Sequence, residues 1–178
     1  MGRSAKSSPH LLRRTDIVTK EQGPHAHPWN PLSELHGVQL AREMGLKRAM
    51  VAIARMPAGK ESFVYHSHRH EEEWLYILSG QGVAEIDGAE YEVGPGDFMA
   101  FPAPSVAHHL RNPGPDELVY LMGGEFLPLE VADFPRHGKI MVRDGNDVAI
   151  FNAADQQAFA PPSDPPTDKA AKKKSKKK

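Results

Sequence analysis

The sequence predicts an all-β protein, a single double-sheet jelly roll with an N-terminal arm, a short helix and a disordered C-terminal tail. Three observations predict it. Short apolar or alternating segments recur between residues 45 and 130, each closed by a Gly, Pro, Asn or Asp cluster, which is the punctuation of antiparallel strands. The chain has 178 residues, enough for one full core and too few for two barrels. Within GKESFVYHSHRHEEEWLYILSG, His66, His68 and Glu73 stand at the spacing of a metal site built on two adjacent strands.

Residues 1–44 read as an arm ending in a short helix. MGRSAKSSPHLLRRTD lacks the apolar core of a secretory signal, and no apolar run approaches membrane-spanning length, so a soluble, cytoplasmic protein is expected. His25 and His27 form an H-x-H in PHAHPWNP, but prolines flank the pair and no glutamate follows at strand spacing. That pair is expected in an exposed loop. Residues 34–48, ELHGVQLAREMGLKR, look like the opening helix and turn of a helix-turn-helix, with Ala41 and Gly45 at the customary offset. Where a second helix should stand, the chain reads MVAIARMPAG, β-branched and apolar before a proline. A short helix or arm packed on the barrel is the expected form.

The barrel, residues 45–130, opens with a strand over 50–56 ended by Pro57-Ala58-Gly59. Strands over 62–68 and 73–78 carry the metal motif. Residues 82–86 and 89–93 flank Asp87-Gly88, a two-residue hairpin signal because both central positions of that turn favour positive φ. Gly94-Pro95-Gly96 turns the chain into 97–101, and Asn112-Pro113-Gly114-Pro115 separates the His108 strand from ELVYLM at 117–122. Residues 131–160 are expected to pack on the barrel as an extension. The tail, residues 161–178, is proline-rich and then lysine-rich with nothing apolar to bury, and is expected to be disordered.

The net charge of −1 hides an uneven distribution: residues 1–160 hold 15 Lys and Arg against 21 Asp and Glu, and residues 161–178 hold 7 Lys against 2 Asp. The body is acidic and the tail basic. Lysine runs can hold nucleic acid electrostatically, but no aromatic or arginine accompanies these, so a solubilising tail is expected in place of a nucleic-acid partner. The chain contains no cysteine, which excludes disulfides, a cysteine nucleophile and thiolate zinc sites.

In an extended strand alternate side chains share a face, so His66 and His68 aim two imidazoles at one point. Glu73 adds a carboxylate, and His108, about thirty residues on, adds a third imidazole with Asn112 on the same strand face. Glu71 and Glu72 are alternates for the carboxylate, and His109 for His108 if the register slips. His70 shares the ligand face only if the strand continues, and the run Glu71-Glu72-Glu73 points to a turn there. It reads as a surface histidine or one behind the ligands. Trp74 and Tyr76 alternate with Glu73, Leu75 and Ile77 and are expected to pack in the core between layers. Arg55, alone in an apolar strand, would bind a carboxylate substrate or reach solvent.

These residues resemble the cupin superfamily, whose first motif runs G-x5-H-x-H-x3-4-E-x6-G and whose second runs G-x5-P-x-G-x2-H-x3-N. Gly59, His66, His68, Glu73 and Gly80 match the first, with six residues instead of five after Gly59. Gly96, Pro102, His108 and Asn112 match the second, with Pro104 at the expected glycine and one extra residue before His108. The spacing to Gly80 selects Glu73, and the spacing to Asn112 selects His108. The resemblance covers residues 45–130 and implies the double-stranded β-helix form of the jelly roll. It also implies a homodimer whose arms add to a neighbour's sheet.

Three neutral imidazoles and one carboxylate suit one divalent transition metal, whether Fe, Mn, Ni or Zn, and in an octahedral field they leave positions open. The expected function is a metal-dependent enzyme acting on a small oxygen-rich molecule, foremost a dioxygenase-like oxidoreductase, with isomerase or lyase chemistry as further forms. The alternative is a non-catalytic module that binds a small, sugar-like ligand or regulates. The ligands fix the centre and leave the substrate open.

Overall fold

The structure, a computed structural model, describes residues 8–159; the lysine-rich tail lies outside the described residues. Two short helices, α1 (Arg14–Thr19) and α2 (Leu40–Glu43), accompany thirteen strands. The strands are β1 (Gln22–His25), β2 (Leu35–Val38), β3 (Ala49–Met56), β4 (Ser67–His68), β5 (Glu73–Ser79), β6 (Gly82–Ile86), β7 (Ala89–Val93), β8 (Phe98–Phe101), β9 (His108–Arg111), β10 (Leu118–Glu125), β11 (Leu129–Phe134), β12 (Lys139–Asp144) and β13 (Asp147–Asn152). A six-stranded sheet runs β1-β2-β3-β10-β5-β8; facing it are a four-stranded sheet, β13-β12-β11-β4, and a three-stranded one, β7-β6-β9. All ladders pair antiparallel. The bridge His66↔His108 joins the two smaller sheets. The architecture is the expected all-β jelly roll.

Period-2 alternation places the core. Ala52, Ala54 and Met56 on β3, Leu118 and Tyr120 on β10, Leu75 and Ile77 on β5, and Met99 and Phe101 on β8 all face inward and are buried. Register aligns them in rows, with Ile77 beside Tyr120 and Tyr120 beside Ala54. The β6–β7 hairpin turns as expected, with Asp87 at φ 51° and Gly88 at φ 78°. Gly80 ends β5 at φ 83°, where a Cβ would come within 2.4 Å of the Glu117 carbonyl oxygen. That position admits glycine alone.

Two expectations change, and the one for residues 34–48 does not. Residues 62–68 form a strand only at Ser67–His68, with isolated bridges at Glu61 and His66; the Ser62 side chain, which accepts from Leu110 N at 3.1 Å, and the loop around Asn30 interrupt the ladder. Trp74 and Tyr76 do not pack between the layers. Both lie on the outer face of the six-stranded sheet, Tyr76 38 % exposed, while Glu73, Leu75 and Ile77 face in. The indole covers Gly123, where a Cβ would sit 2.2 Å from the ring. Residues 34–48 contain β2 and the four-residue α2, with Ala41 buried, so no helix-turn-helix forms and the segment packs on the barrel.

The arm also departs from a loop. His25 ends β1, which pairs with β2 on the chain's own sheet, and His27 packs against Trp29, Phe63 and Phe134 at ring separations of 5.1, 6.4 and 5.9 Å.

Candidate metal centre

Four elements bring the predicted residues together. His66 stands at the bridge to β9, His68 ends β4, Glu73 begins β5 and His108 begins β9. His66 N donates to the His108 carbonyl at 3.2 Å and His108 N to the His66 carbonyl at 2.8 Å, which locks the two histidines opposite one another. One carboxylate oxygen, Glu73 Oε2, receives all three rings: the Nε2 atoms of His68, His108 and His66 lie 3.1, 3.2 and 3.7 Å from it. One donor atom from each residue falls within 4.8 Å of the others. Two donors each about 2.1 Å from one ion stand roughly 3–3.5 Å apart, so this set fits a single metal with nitrogen and oxygen ligands.

The rings are held for that role. His66 Nδ1 donates to the Val64 carbonyl at 2.8 Å and His108 Nδ1 to the Val106 carbonyl at 3.2 Å. A carbonyl can only accept, so Nδ1 carries a proton, and in the neutral ring Nε2 keeps the lone pair that a metal would take. Phe101 stacks on His108 at 3.6 Å with the planes 7° apart, and Phe134 lies over His66 at 6.3 Å. His68 has a different brace: its Nδ1 lies 3.3 Å from Glu130 Oε1, and the Glu130 side chain is fully buried. Glu130 also accepts from Arg69 N at 3.1 Å and Glu71 N at 2.9 Å.

Burial pushes the Glu73 carboxyl up, but hydrogen bonds from His108, His66 and His68 outweigh it and hold the group well below the usual carboxylate range. Burial lowers His68, and Glu73 and Glu130 more than reverse this, leaving it raised. Tyr120 lines the same chamber, a cavity of about 30 Å³. Burial and the Glu73 charge raise its phenol, which remains a neutral O–H donor at ordinary pH.

His68, Glu71 and Glu130 form a second group with close donor atoms. Their lone pairs are already engaged: Glu71 Oε1 accepts from Leu127 N at 2.6 Å and pairs with the Arg143 guanidinium. The group braces His68 and offers no second ion site.

The alternates resolve. Glu71 is tied to Arg143, Glu72 is exposed, and His109 points to the opposite face with Nε2 3.7 Å from Glu61. His70 is exposed, 3.7 Å from Glu130, behind the ligands. Asn112 is not among the convergent residues: its Nδ2 donates to the carbonyls of Met56, Pro57 and Asp116 and its Oδ1 accepts from Gly114 N. Arg55 is held by Glu117 and Glu21. Sequence reasoning missed Glu130, Tyr120 and Phe101. A signal existed for the first, since Glu130 alternates with Ala132 and Phe134 as the one acid on the inward face of β11.

A family model described as Cupin domain matches residues 52–124. A curated relative, an uncharacterized protein of Methanocaldococcus jannaschii, is 36% identical over 70 residues, 39% of this chain; the chain spans about half (54%) of that relative's length. Among solved structures, a protein of Acidithiobacillus ferrooxidans provisionally described as a sugar phosphate isomerase superposes with a TM-score of 0.79 at 30% identity, over 86% of this chain and 98% of its own. A sugar phosphate isomerase from a cupin superfamily, from Silicibacter pomeroyi, superposes with a TM-score of 0.65 at 24% identity, over 71% and 81% of the two chains.

Proposed function

The chain belongs to the cupin superfamily, and we propose that it is a metal-dependent enzyme whose His66, His68, Glu73 and His108 hold one divalent transition metal and whose reaction is isomerisation of a small hydroxy-carbonyl compound. One observation carries the reading: three imidazole Nε2 atoms converge on a single ionised carboxylate oxygen. A bound divalent metal would supply Lewis-acid polarisation of a carbonyl or hydroxyl oxygen. Isomerisation takes the place of the dioxygenase reading because the relative matched over nearly its full length carries that description. The reaction is redox-neutral overall: the proton on the hydroxyl-bearing carbon moves to the carbonyl carbon, the hydroxyl proton moves to the carbonyl oxygen, and no co-reactant is needed.

The chain's own groups serve that chemistry. The Val64 and Val106 carbonyls and Glu130 engage Nδ1 of the three histidines and so turn Nε2 toward the centre. Tyr120, held protonated, presents a donor to a substrate oxygen inside the chamber. Leu35, Phe63, Leu75 and Met122 line the same space and exclude water.

A second reading, a module that binds the same ligand without transforming it, has one observation in its favour. Outside the candidate ligands, the titratable residues at the chamber among the described residues are Tyr120 and His109, and the His109 ring turns away toward Glu61. Neither is a ready base.

The test is elemental analysis of untagged protein beside a His66→Ala, His108→Ala double variant, followed by incubation of the loaded protein with aldoses and ketoses in D2O. About one metal per chain, lost in the variant, with deuterium entering beside the carbonyl and no oxygen uptake, supports the isomerase. Oxygen consumption restores the dioxygenase reading, unchanged sugar supports the binding module, and no metal after reconstitution removes the metal centre.

A further inference from the structure

Beside the metal chamber lies a larger cavity of about 500 Å³, floored by Gly37, Ala52 and Ala54 and bordered by Gln22, His25 and Gln39. It exists because β1 and β2 extend the six-stranded sheet past the barrel, so the inward face continues beyond β3. Small residues make the floor deep. Gly37 is fixed at φ 155°, and a Cβ there would lie 1.9 Å from the Ile53 carbonyl oxygen, so no side chain can fill the space. Leu35, Phe63 and Met122 line both this cavity and the chamber that holds His66, Glu73 and His108. Those three residues form a wall shared by the cavity and the chamber. The volume is within the roughly 300–1,000 Å³ of small-molecule sites.

The polar lining specifies chemistry. A glutamine amide both donates and accepts, as does a neutral imidazole, which matches hydroxyl groups that do the same. Among the described residues, no arginine or lysine lines the cavity. Three cations close in sequence to the lining are matched to carboxylates: Arg55 by Glu21 and Glu117, Lys60 by Glu34, and Lys20 by Glu43. His36, also in the lining, lies 3.1 Å from Glu34. A phosphate or carboxylate placed here would lack the charge-assisted donors such groups ordinarily take.

We infer that this cleft binds the body of a neutral polyhydroxy compound, with Gln22, His25 and Gln39 reading its hydroxyls while one oxygen-bearing end passes Leu35, Phe63 and Met122 to the metal. The inference rests on the metal-dependent reading above and names its substrate class as uncharged, in contrast to the sugar phosphate in the description of the similar Acidithiobacillus protein.

Two readouts separate the two ideas. The side-chain amide resonances of Gln22 and Gln39 in the metal-free protein report the cleft, and the visible spectrum of the Co(II)-loaded protein reports the metal centre. Both are titrated with D-mannose and D-fructose and with their 6-phosphates. The expected result is that the neutral sugars move the amide resonances and bind at least tenfold tighter than the phosphates. A Gln22→Leu, Gln39→Leu variant should lose at least tenfold in sugar affinity with its sugar-free Co(II) spectrum unchanged. Tighter binding of the phosphates, amide resonances that no sugar moves, or wild-type affinity in the variant overturns the inference. Amide shifts without any Co(II) binding uphold the cleft and sink the metal reading instead.

Discussion

Replacing Glu130 by glutamine isolates the brace behind His68. The side chain keeps its size, but one of its two oxygens becomes an NH2 group. Oε1 faces His68 Nδ1 at 3.3 Å and Arg69 N at 3.1 Å, and Oε2 faces Glu71 N at 2.9 Å. Every neighbour at both ends is a donor, so either flip of the amide sets donor against donor. An unsatisfied buried N–H costs about 1–3 kcal/mol, and that loss should appear in chemical denaturation. If the amide faces His68, the ring loses the acceptor that orients it; loss of such a partner typically costs 10–100-fold in metal affinity, or about 1.4–2.8 kcal/mol. The assay is competition for Zn(II) or Co(II) against a chromophoric chelator, run beside a stability curve. The decisive readout is the Nδ1–H/Nε2–H tautomer of His68 by nitrogen NMR in the metal-free protein, which a loss of general stability leaves alone. A folded variant with unchanged affinity and tautomer would refute the brace.

Asn112→Ala should lower stability by several kcal/mol, since three carbonyls and one N–H lose their partner at once, with metal stoichiometry unchanged; loss of metal would make Asn112 part of the centre. Tyr76→Ser should change stability by no more than about 0.5 kcal/mol, as for an outward side chain, against the 3–5 kcal/mol of a core aromatic. Thermal melts distinguish the two. His27 is lowered from its ordinary 6.5 by burial, then by His137 and His66. As pH falls through 6.5 the unfolded chain takes a proton that the folded one refuses, so stability drops until the lower folded value is reached. His27→Gln should flatten that part of the curve of melting temperature against pH from 8 to 5, and parallel curves would show that His27 contributes nothing.

The strand pattern and the four convergent residues were legible because both depend on local periodicity and spacing. Asp87-Gly88 encodes its hairpin in two residues, His66 and His68 follow from alternation, and the choice of Glu73 and His108 over their neighbours comes from the resemblance to the cupin motifs. What escaped depends on the third dimension. Alternation with Glu73 puts Tyr76 on the face opposite the ligand, but whether a further layer covers that face is not written along the chain. His25 sits in a proline-flanked segment whose strand character comes only from pairing with Leu35. Glu130 reaches His68 across 62 positions, a separation that periodicity does not bridge. The bare floor of the cleft is similarly invisible, because Gly37, Ala52 and Ala54 become one surface only after two strands pair.

The unequal bracing of the histidines carries a thermodynamic reciprocity. His66 and His108 orient themselves against carbonyls two residues away, so their poise is set by local backbone, whereas His68 leans on β11, whose other edge carries β12 and β13. Any ion held by all three must bind more weakly when β11 shifts, and by the same free energy it must hold β11 in place when bound. The C-terminal strands are therefore coupled to occupancy: amide exchange across residues 129–152 should slow on metal loading, and the ion would act as a clasp between the two smaller sheets.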